Sequence, residues 1–245
     1  MAVAIPNFEY SYRRKGKPVF VPTGIGRRIG NEIKGEVEGA YDFDPIYFHL
    51  RRGGHVAAMH HHRDNLRFAR IDISRFFYSV SRRRVQSALD RIGVANARFY
   101  AKWSTVANPY DDPKYALPYG FVQSPILASL VIATSQVGDH LLGLPASVSV
   151  SVYMDDISLS SDDPGDLANA YGSTLAVLAA DGFQVSAEKL RAPSAAIDIF
   201  NCDLTHGRAS VRDERIAEFF ANGPDQISED AFIAYCASVE IGNHS

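Results

Sequence analysis

The amino-acid sequence predicts an α+β fold, and three observations carry that expectation. Val148-Ser149-Val150-Ser151-Val152-Tyr153 alternates apolar and polar residues at the period of a half-buried strand, and Ile157 to Ser160 resumes the alternation beyond Met154-Asp155-Asp156. The result is a hairpin with two carboxylates at its tip. Phe68 to Ile73 is a short apolar run of strand length, while Ser81–Ile92, Ser124–Leu142 and Leu167–Ala180 carry the spacing or apolar length of helices. With 245 residues and 46% hydrophobic content, the chain can bury one large core, or a core with small subdomains attached.

Taken in order, Phe8 to Val21 alternates aromatic and basic residues around Lys15-Gly16-Lys17-Pro18, which predicts a hairpin turning at Gly16. Ile29 to Val37 reads as a helix, and His49 to Arg67 as irregular chain punctuated by Gly53-Gly54. Ser81 is placed to cap the helix that follows, whose Val85, Ala88, Leu89 and Ile92 share a face. An aromatic and proline-rich loop runs from Asn108 to Tyr119, and Pro125 is tolerated in the first turn of the next helix. Asp181-Gly182 ends the third helix, and Phe183–Val185 is a short strand. Ile197–Leu204 and Ala209–Val211 form a hairpin around His206-Gly207, before helices over Arg212–Ala221 and Ser228–Val239.

The net charge of −3 hides an asymmetry. Seven Lys/Arg face two Glu between Met1 and Lys34, whereas five bases face sixteen acids from Asp155 onward. A basic segment is the footprint of phosphate binding, and the acidic half fits poorly with a long grip on nucleic acid. No run of about 18 apolar residues and no basic-then-apolar leader is present, so a membrane or exported protein is not expected. Cys202 and Cys236 lack metal-type spacing and read as reduced core residues of a cytoplasmic protein, which speaks against structural zinc.

Adjacent acids at a hairpin tip raise each other's pKa unless a cation neutralises them. If the strand ending at Asp72 pairs beside the hairpin, Asp72, Asp155 and Asp156 become candidates to bind magnesium, which takes oxygen ligands and bridges phosphates. The surrounding residues resemble the reverse transcriptase family, in particular its bacterial members related to retrons, group II introns and phage-defence systems. Arg70-Ile71-Asp72-Ile73-Ser74-Arg75-Phe76-Phe77 resembles motif A, Leu117-Pro118-Tyr119-Gly120-Phe121-Val122-Gln123-Ser124-Pro125 motif B, and Tyr153-Met154-Asp155-Asp156 motif C. Gly182-Phe183 with Lys189 resembles motif D, and Phe200-Asn201-Cys202-Asp203-Leu204 motif E. The match is good over Phe68–Leu204 and loose at the flanks.

The resemblance implies a right-hand polymerase with an antiparallel palm backed by helices. Fingers are expected over residues 1–67, with some finger elements within 82–118, the palm over 68–204, and a short helical thumb remnant over 205–245. It implies RNA-directed DNA polymerisation with two Mg2+ ions, Mn2+ being a substitute, held by Asp72 and Asp155 with Asp156 in third rank. Lys189 is expected to act as general acid or clamp on the leaving pyrophosphate. Phe77 is expected to crowd a ribose 2′ hydroxyl, so that deoxynucleotides are selected. Ile73, Tyr119 and Gly120 fall at nucleotide-pocket positions, Tyr119 standing where the family usually has Gln, and Gly120 admits close approach of backbone to ligand. Arg13, Lys15 and Lys17 are candidates for the triphosphate, while Tyr153, Met154, Ser124 and Pro125 support the motifs.

Only 56 residues follow Lys189, so a long thumb, nuclease or RNase H domain is not expected within them. The expected partners are template RNA or a structured noncoding RNA, the DNA product, deoxynucleotides, and a protein subunit or second copy that supplies grip. Two other readings stand beside this one: untemplated, protein-templated or protein-primed DNA synthesis by the same centre, and a non-catalytic RNA-binding scaffold. His60-His61-His62 reads as a polar loop or helix, because consecutive residues cannot converge on one ion. Trp103 with Phe99 and Tyr100 reads as core.

Overall fold

A computed structural model describes residues 6–244 of the chain. The basic hairpin forms as predicted, β1 (Phe8–Arg14) with β2 (Lys17–Pro22), and Lys15 and Gly16 make its turn at φ 48° and 76°. Helix α1 (Gly24–Ala40) follows, capped by the Thr23 hydroxyl, which accepts from Gly26 N–H. A 3-10 turn at Phe48–Leu50 and helix α2 (Gly54–His62) precede β3 (Arg67–Asp72). The short α3 (Phe76–Ser79) leads to α4 (Arg82–Arg91), where Ser81 Oγ accepts from Arg84 N–H as the predicted cap. Helix α5 (Ala97–Trp103), the two-residue strands β4 (Val106–Ala107) and β5 (Tyr115–Ala116), and helices α6 (Ser124–Ala133) and α7 (Gln136–Leu142) come next. The acidic hairpin is β6 (Ser149–Tyr153) with β7 (Asp156–Ser161), backed by α8 (Pro164–Ala180). The chain continues through β8 (Arg191–Ser194), β9 (Ala196–Ile199), β10 (Cys202–Thr205), β11 (Arg208–Val211), α9 (Asp213–Ala221) and α10 (Gln226–Glu240).

These elements sort into two compact units, each assembled from two stretches of chain: residues 1–44 with 74–139, and residues 45–73 with 140–245. The first unit thus joins the N-terminal stretch to the elements within 82–118. Charge follows the units: fifteen Lys/Arg against ten acids give the first a net +5, and ten against eighteen give the second −8. The second unit holds an antiparallel sheet in the order β6-β7-β3-β8 and a separate sheet in the order β11-β10-β9. A core of Met59, Phe68, Ile197, Ile199, Leu204, Phe232 and Val239 joins α2, β3, β9, β10 and α10. In the first unit, Phe20, Tyr78, Val106, Ala116 and Phe121 form a small core.

Four departures from the expected elements have physical reasons. The chain from His49 to Arg67 is not irregular: Gly53 and Gly54, at φ 90° and 52°, turn it into α2 instead of breaking it, and the helix buries Ala58, Met59 and His62. The helix expected from Ser124 to Leu142 breaks into α6 and α7 with a bend of 70°. There Thr134 Oγ1 donates to the Leu130 carbonyl and Ser135 Oγ to the Ile132 carbonyl, the local side-chain bonds that compete with helix continuation. A β-carbon on Gly138 would stand 2.5 Å from the Ala133 carbonyl oxygen, so the bend needs a residue with no side chain. Phe183–Val185 contributes one bridge, Val185 to Ile73, and Ile197–Leu204 is two strands because Phe200 and Asn201 turn at φ 54° and 62°. Among the described residues no single helix is long and apolar enough to cross a membrane.

The three consecutive histidines disperse, as their spacing predicts. His62 is fully buried and bridges two serine hydroxyls of the sheet, Ser160 at 2.7 Å and Ser151 at 2.8 Å. His60 reaches the Val239 carbonyl and His61 packs on Phe48. Burial pushes the His62 imidazole down to about 3, so it stays neutral inside the sheet. Below pH 6.5 the unfolded chain binds a proton that the folded chain refuses, so this group's contribution to stability is lost as pH falls from about 6.5 toward 3. Wild-type stability in urea is expected to drop by about 2 kcal/mol from this group between pH 7 and pH 5, and His62→Asn to flatten that dependence. In the same assay, Gly138→Ala is expected to cost about 1–3 kcal/mol through overpacking. The control Gly172→Ala, on the exposed side of α8 with open space around it, is expected to gain about 0.5–1 kcal/mol.

Candidate active site

Asp72 closes β3 and Asp156 opens β7, and the antiparallel register sets them directly opposite each other. Opposed residues project to one face, so both carboxylates lie on the same side of the sheet. Asp155 sits in the turn: Tyr153 pairs with Asp156, leaving Met154 and Asp155 to join the strands. The hairpin tip therefore carries one acid and the strand start the other, instead of both at the tip. Met154 makes the turn at φ 57°, a left-handed conformation costing a side-chain-bearing residue about 1–2 kcal/mol. Two main-chain bonds hold the geometry: Ile73 N–H donates to the Asp155 carbonyl at 2.8 Å, and Ser186 N–H to the Asp72 carbonyl at 2.9 Å.

Buried charges require partners, and each of the two opposed acids has one. The Asp72 side chain is 3% exposed, with the Lys189 ammonium 2.7 Å from its Oδ2. Arg70, two residues before Asp72 on β3 and hence on the same face, donates from Nε to Asp156 Oδ1 at 2.6 Å and places a second nitrogen 2.5 Å from that oxygen. The chain of charges continues from Arg70 to Asp198 at 3.7 Å and from Asp198 to Arg191 at 2.5 Å. Burial pushes the Asp156 carboxyl up to about 6; Arg70 opposes the rise, and the charges of Asp155 and Asp72 add to it. For Lys189, burial disfavours the ammonium, but its bond to Asp72 and the charges of Asp72, Asp155 and Asp156 outweigh that and raise its pKa. Lys189 is thus a cation at neutral pH.

Magnesium takes oxygen donors of this kind, and the Lys189 ammonium already stands against Asp72 where a cation is electrostatically favoured. Asp72 and Asp155 fit such an ion. Asp156 Oδ1 is engaged by Arg70, and among the described residues no three His, Cys, Asp or Glu side chains are gathered as a ready-made metal site. The expected trio thus stands together at these strand ends, with Asp72 Oδ2 held by Lys189 and Asp156 Oδ1, third in rank, by Arg70.

Within the first unit, three predicted nucleotide residues form one cluster. Phe77, 6% exposed, meets Tyr119 edge-on at 4.7 Å, and Lys17 Nζ lies 5.3 Å from the centre of the Tyr119 ring. Arg13 and Lys15 stay at the exposed end of the hairpin, where Arg13 bonds the Gly16 carbonyl. Gly120, at φ 103°, does serve a close approach, but to protein: a β-carbon there would stand 2.2 Å from the Phe20 carbonyl oxygen of β2. Ile73 is 1% exposed and acts through its backbone bond instead of presenting a side chain. Ser124 and Pro125 open α6, and Tyr153 packs among the rings of His49, His55 and Phe200. Arg70, Asp198 and Arg191 went unpredicted as site residues. Arg70 was findable, since an i, i+2 spacing on a strand puts it on the face of Asp72, whereas Asp198 and Arg191 meet it only through tertiary pairing.

No curated protein matches the sequence significantly, but many solved structures share its fold. A foamy viral protease-reverse transcriptase in complex with double-stranded DNA aligns over 89% of this chain and 32% of its own, at 15% identity and a TM-score of 0.51. Apo telomerase from Candida tropicalis, truncated from its C-terminal domain, aligns over 83% of this chain and 54% of its own, at 11% identity and a TM-score of 0.55. The chain thus spans about a third to a half of these proteins, and at such identities the likeness establishes the fold, that of the right-hand polymerases. Sequence adds what fold cannot: residues 14–203 match the family model for reverse transcriptase (RNA-dependent DNA polymerase), and with most of its 245 residues inside that match the chain belongs to the reverse transcriptase family.

Proposed function

We propose that this chain is the polymerising part of an RNA-directed DNA polymerase, adding deoxynucleotides to a primer 3′ hydroxyl by two-metal nucleotidyl transfer. The observation that carries the reading is Asp72 at the end of β3 and Asp155 in the β6–β7 turn, both beside Lys189, in a chain of this family. Two magnesium ions, or manganese in their place, would be held by Asp72 and Asp155 and would supply hydroxyl activation and neutralisation of the leaving pyrophosphate. Lys189 holds a proton at Nζ, available to a departing phosphate oxygen. Arg70 orients Asp156 and keeps that carboxyl from crowding its neighbours. Phe77, its ring buried and held edge-on by Tyr119, is the side chain that would crowd a ribose 2′ hydroxyl.

The partners follow from the chemistry: an RNA template, the DNA product, deoxynucleotides, and a structured noncoding RNA, protein subunit or second copy that helps grip them. We place the protein in the bacterial cytoplasm, in a retron-like or phage-defence setting, on the resemblance of its motifs. A second reading, untemplated or protein-primed DNA synthesis, is favoured by one observation. Tyr119 replaces the usual glutamine and packs its ring on Phe77, where no side-chain amide reads a base. Sequencing the DNA made with and without added RNA separates the two: product complementary to the RNA supports the first reading, and RNA-independent product the second.

Asp72→Asn and Asp155→Asn are each expected to lower primer extension at least about 10²–10³-fold without loss of fold by circular dichroism. Lys189→Ala is expected to lower the single-turnover rate about 10²-fold, and recovery of that rate by Lys189→Arg would identify charge, not proton donation, as its role. Phe77→Val, which keeps part of the buried volume, is expected to raise ribonucleotide incorporation about 10–100-fold relative to deoxynucleotide.

A further inference from the structure

The first unit contains a cleft, lined by other residues than the Lys17, Phe77 and Tyr119 cluster, where β1 begins, α5 ends and the β4–β5 hairpin folds back. Its volume is about 430 Å³, within the range of small-ligand clefts, and Phe8, Arg82, Lys102, Trp103, Thr105 and Tyr115 are among the residues around it. The frame is tied together by hydrogen bonds. Asn7 Nδ2 donates to the carbonyls of Trp103 at 3.1 Å and Thr105 at 2.9 Å, and Arg82 Nε donates to Thr105 Oγ1 at 2.7 Å. The Arg82 guanidinium is thereby held over the Tyr115 ring, 3.8 Å from its centre, with Lys114 5.7 Å from the same ring.

Three features decide what such a cleft would take. Its lining includes two cations, Arg82 and Lys102, and no carboxylate, in a unit whose net charge is +5. Its aromatic groups are open to solvent: Tyr115 is 37% exposed, Trp103 is half-buried, and Phe99, 6.0 Å from Trp103 between ring centres, is 48% exposed. Of the three rings expected in the core, Tyr100 is buried, Trp103 half-buried and Phe99 a surface ring. Finally, cations interleaved with exposed rings match a chain that alternates flat aromatic bases with phosphates, because each base can stack on a ring while its phosphate meets a cation.

We infer that this cleft binds a nucleobase and adjoining phosphate of single-stranded nucleic acid, at a site separate from the carboxylate centre. Trp103 is the only tryptophan in the chain, so the site reports on itself. In the full-length protein, dodecamers of riboadenylate and of deoxyadenylate are each titrated while indole emission and the anisotropy of a labelled strand are followed. Quenching by either strand, weakened by added salt and missing with a dodecamer of abasic sugar-phosphates, is the expected result, and the stronger of the two strands names RNA or DNA as the source. Tyr115→Ala and Lys102→Gln, the latter an exposed change that spares the fold, are each expected to weaken binding, about tenfold for the lost stacking ring. Asp72→Asn is expected to leave the quenching intact, which separates this inference from the polymerase reading. Unchanged Trp103 emission while anisotropy reports binding, equal response to the abasic strand, or equal quenching by a polyglutamate peptide overturns it.

Discussion

Three carboxylates gathered at the ends of two paired strands repel one another, and the second unit is arranged to contain that repulsion. The β3–β7 register cannot be shifted by one residue without turning Asp72 and its neighbours to the opposite face, so the sheet that brings the acids together also fixes their number and side. Compensation then comes from both directions along the sheet. Lys189 arrives from the bend after α8 and meets Asp72, while Arg70 arrives from the same strand and meets Asp156. Beyond Arg70 the signs continue to alternate through Asp198 and Arg191. In this scheme the two arginines and the lysine are as much part of the centre as the acids. Buried carboxylates without them would be driven to protonate.

The same sheet is polar where a sheet interior is usually apolar. Ser151, Ser158, Ser160 and Ser161 are all buried, and two of them are tied by His62 and Asn65: His62 bonds Ser151 and Ser160, and Asn65 donates to Ser160. The alternation of Val148–Tyr153 thus separates two kinds of packed surface. One face is filled by valine and isoleucine, and the other by hydroxyls ordered around an imidazole. A hydroxyl–imidazole network is directional, and a directional contact along the acidic hairpin resists sliding better than an apolar one.

What could be read from the residues were the features with local causes. The β6–β7 hairpin, the Ser81 cap, the turn at Lys15-Gly16 and the stop at Asp181-Gly182 each follow from a few neighbouring side chains, and all are present. The motif spellings also located Asp72, Asp155 and Lys189, which the fold brings to one place although up to 117 positions separate them. The features that escaped depend on distant partners or on exceptional backbone. The run Ser124–Leu142 reads as one helix from its apolar length, and the bend depends on what Thr134, Ser135 and Gly138 meet in the preceding turn. Phe200 takes a left-handed conformation that its type does not foretell, beside Asn201, whose type tolerates one. Trp103 and Phe99 were assigned to the core from their hydrophobicity, whereas a seven-residue helix on a small unit buries only one side, and that side is Ala97, Tyr100 and Ala101.

The interleaving of the two units has a consequence for synthesis. The first unit has all of its residues once position 139 has been made, whereas β3, with Asp72 at its end, belongs to a unit whose remaining stretch starts at His140. Asp155 is translated 83 residues after Asp72 (155 − 72), a delay of ~4–17 s at ordinary elongation speeds. Over that interval Phe68 and Ile71, fully buried in the finished protein, wait on the nascent chain without the strands that will cover them. The strand that carries Asp72 is thus the one left longest without partners. On the ribosome, therefore, the demand for chaperone cover falls on β3 and not on the basic hairpin that emerges before it.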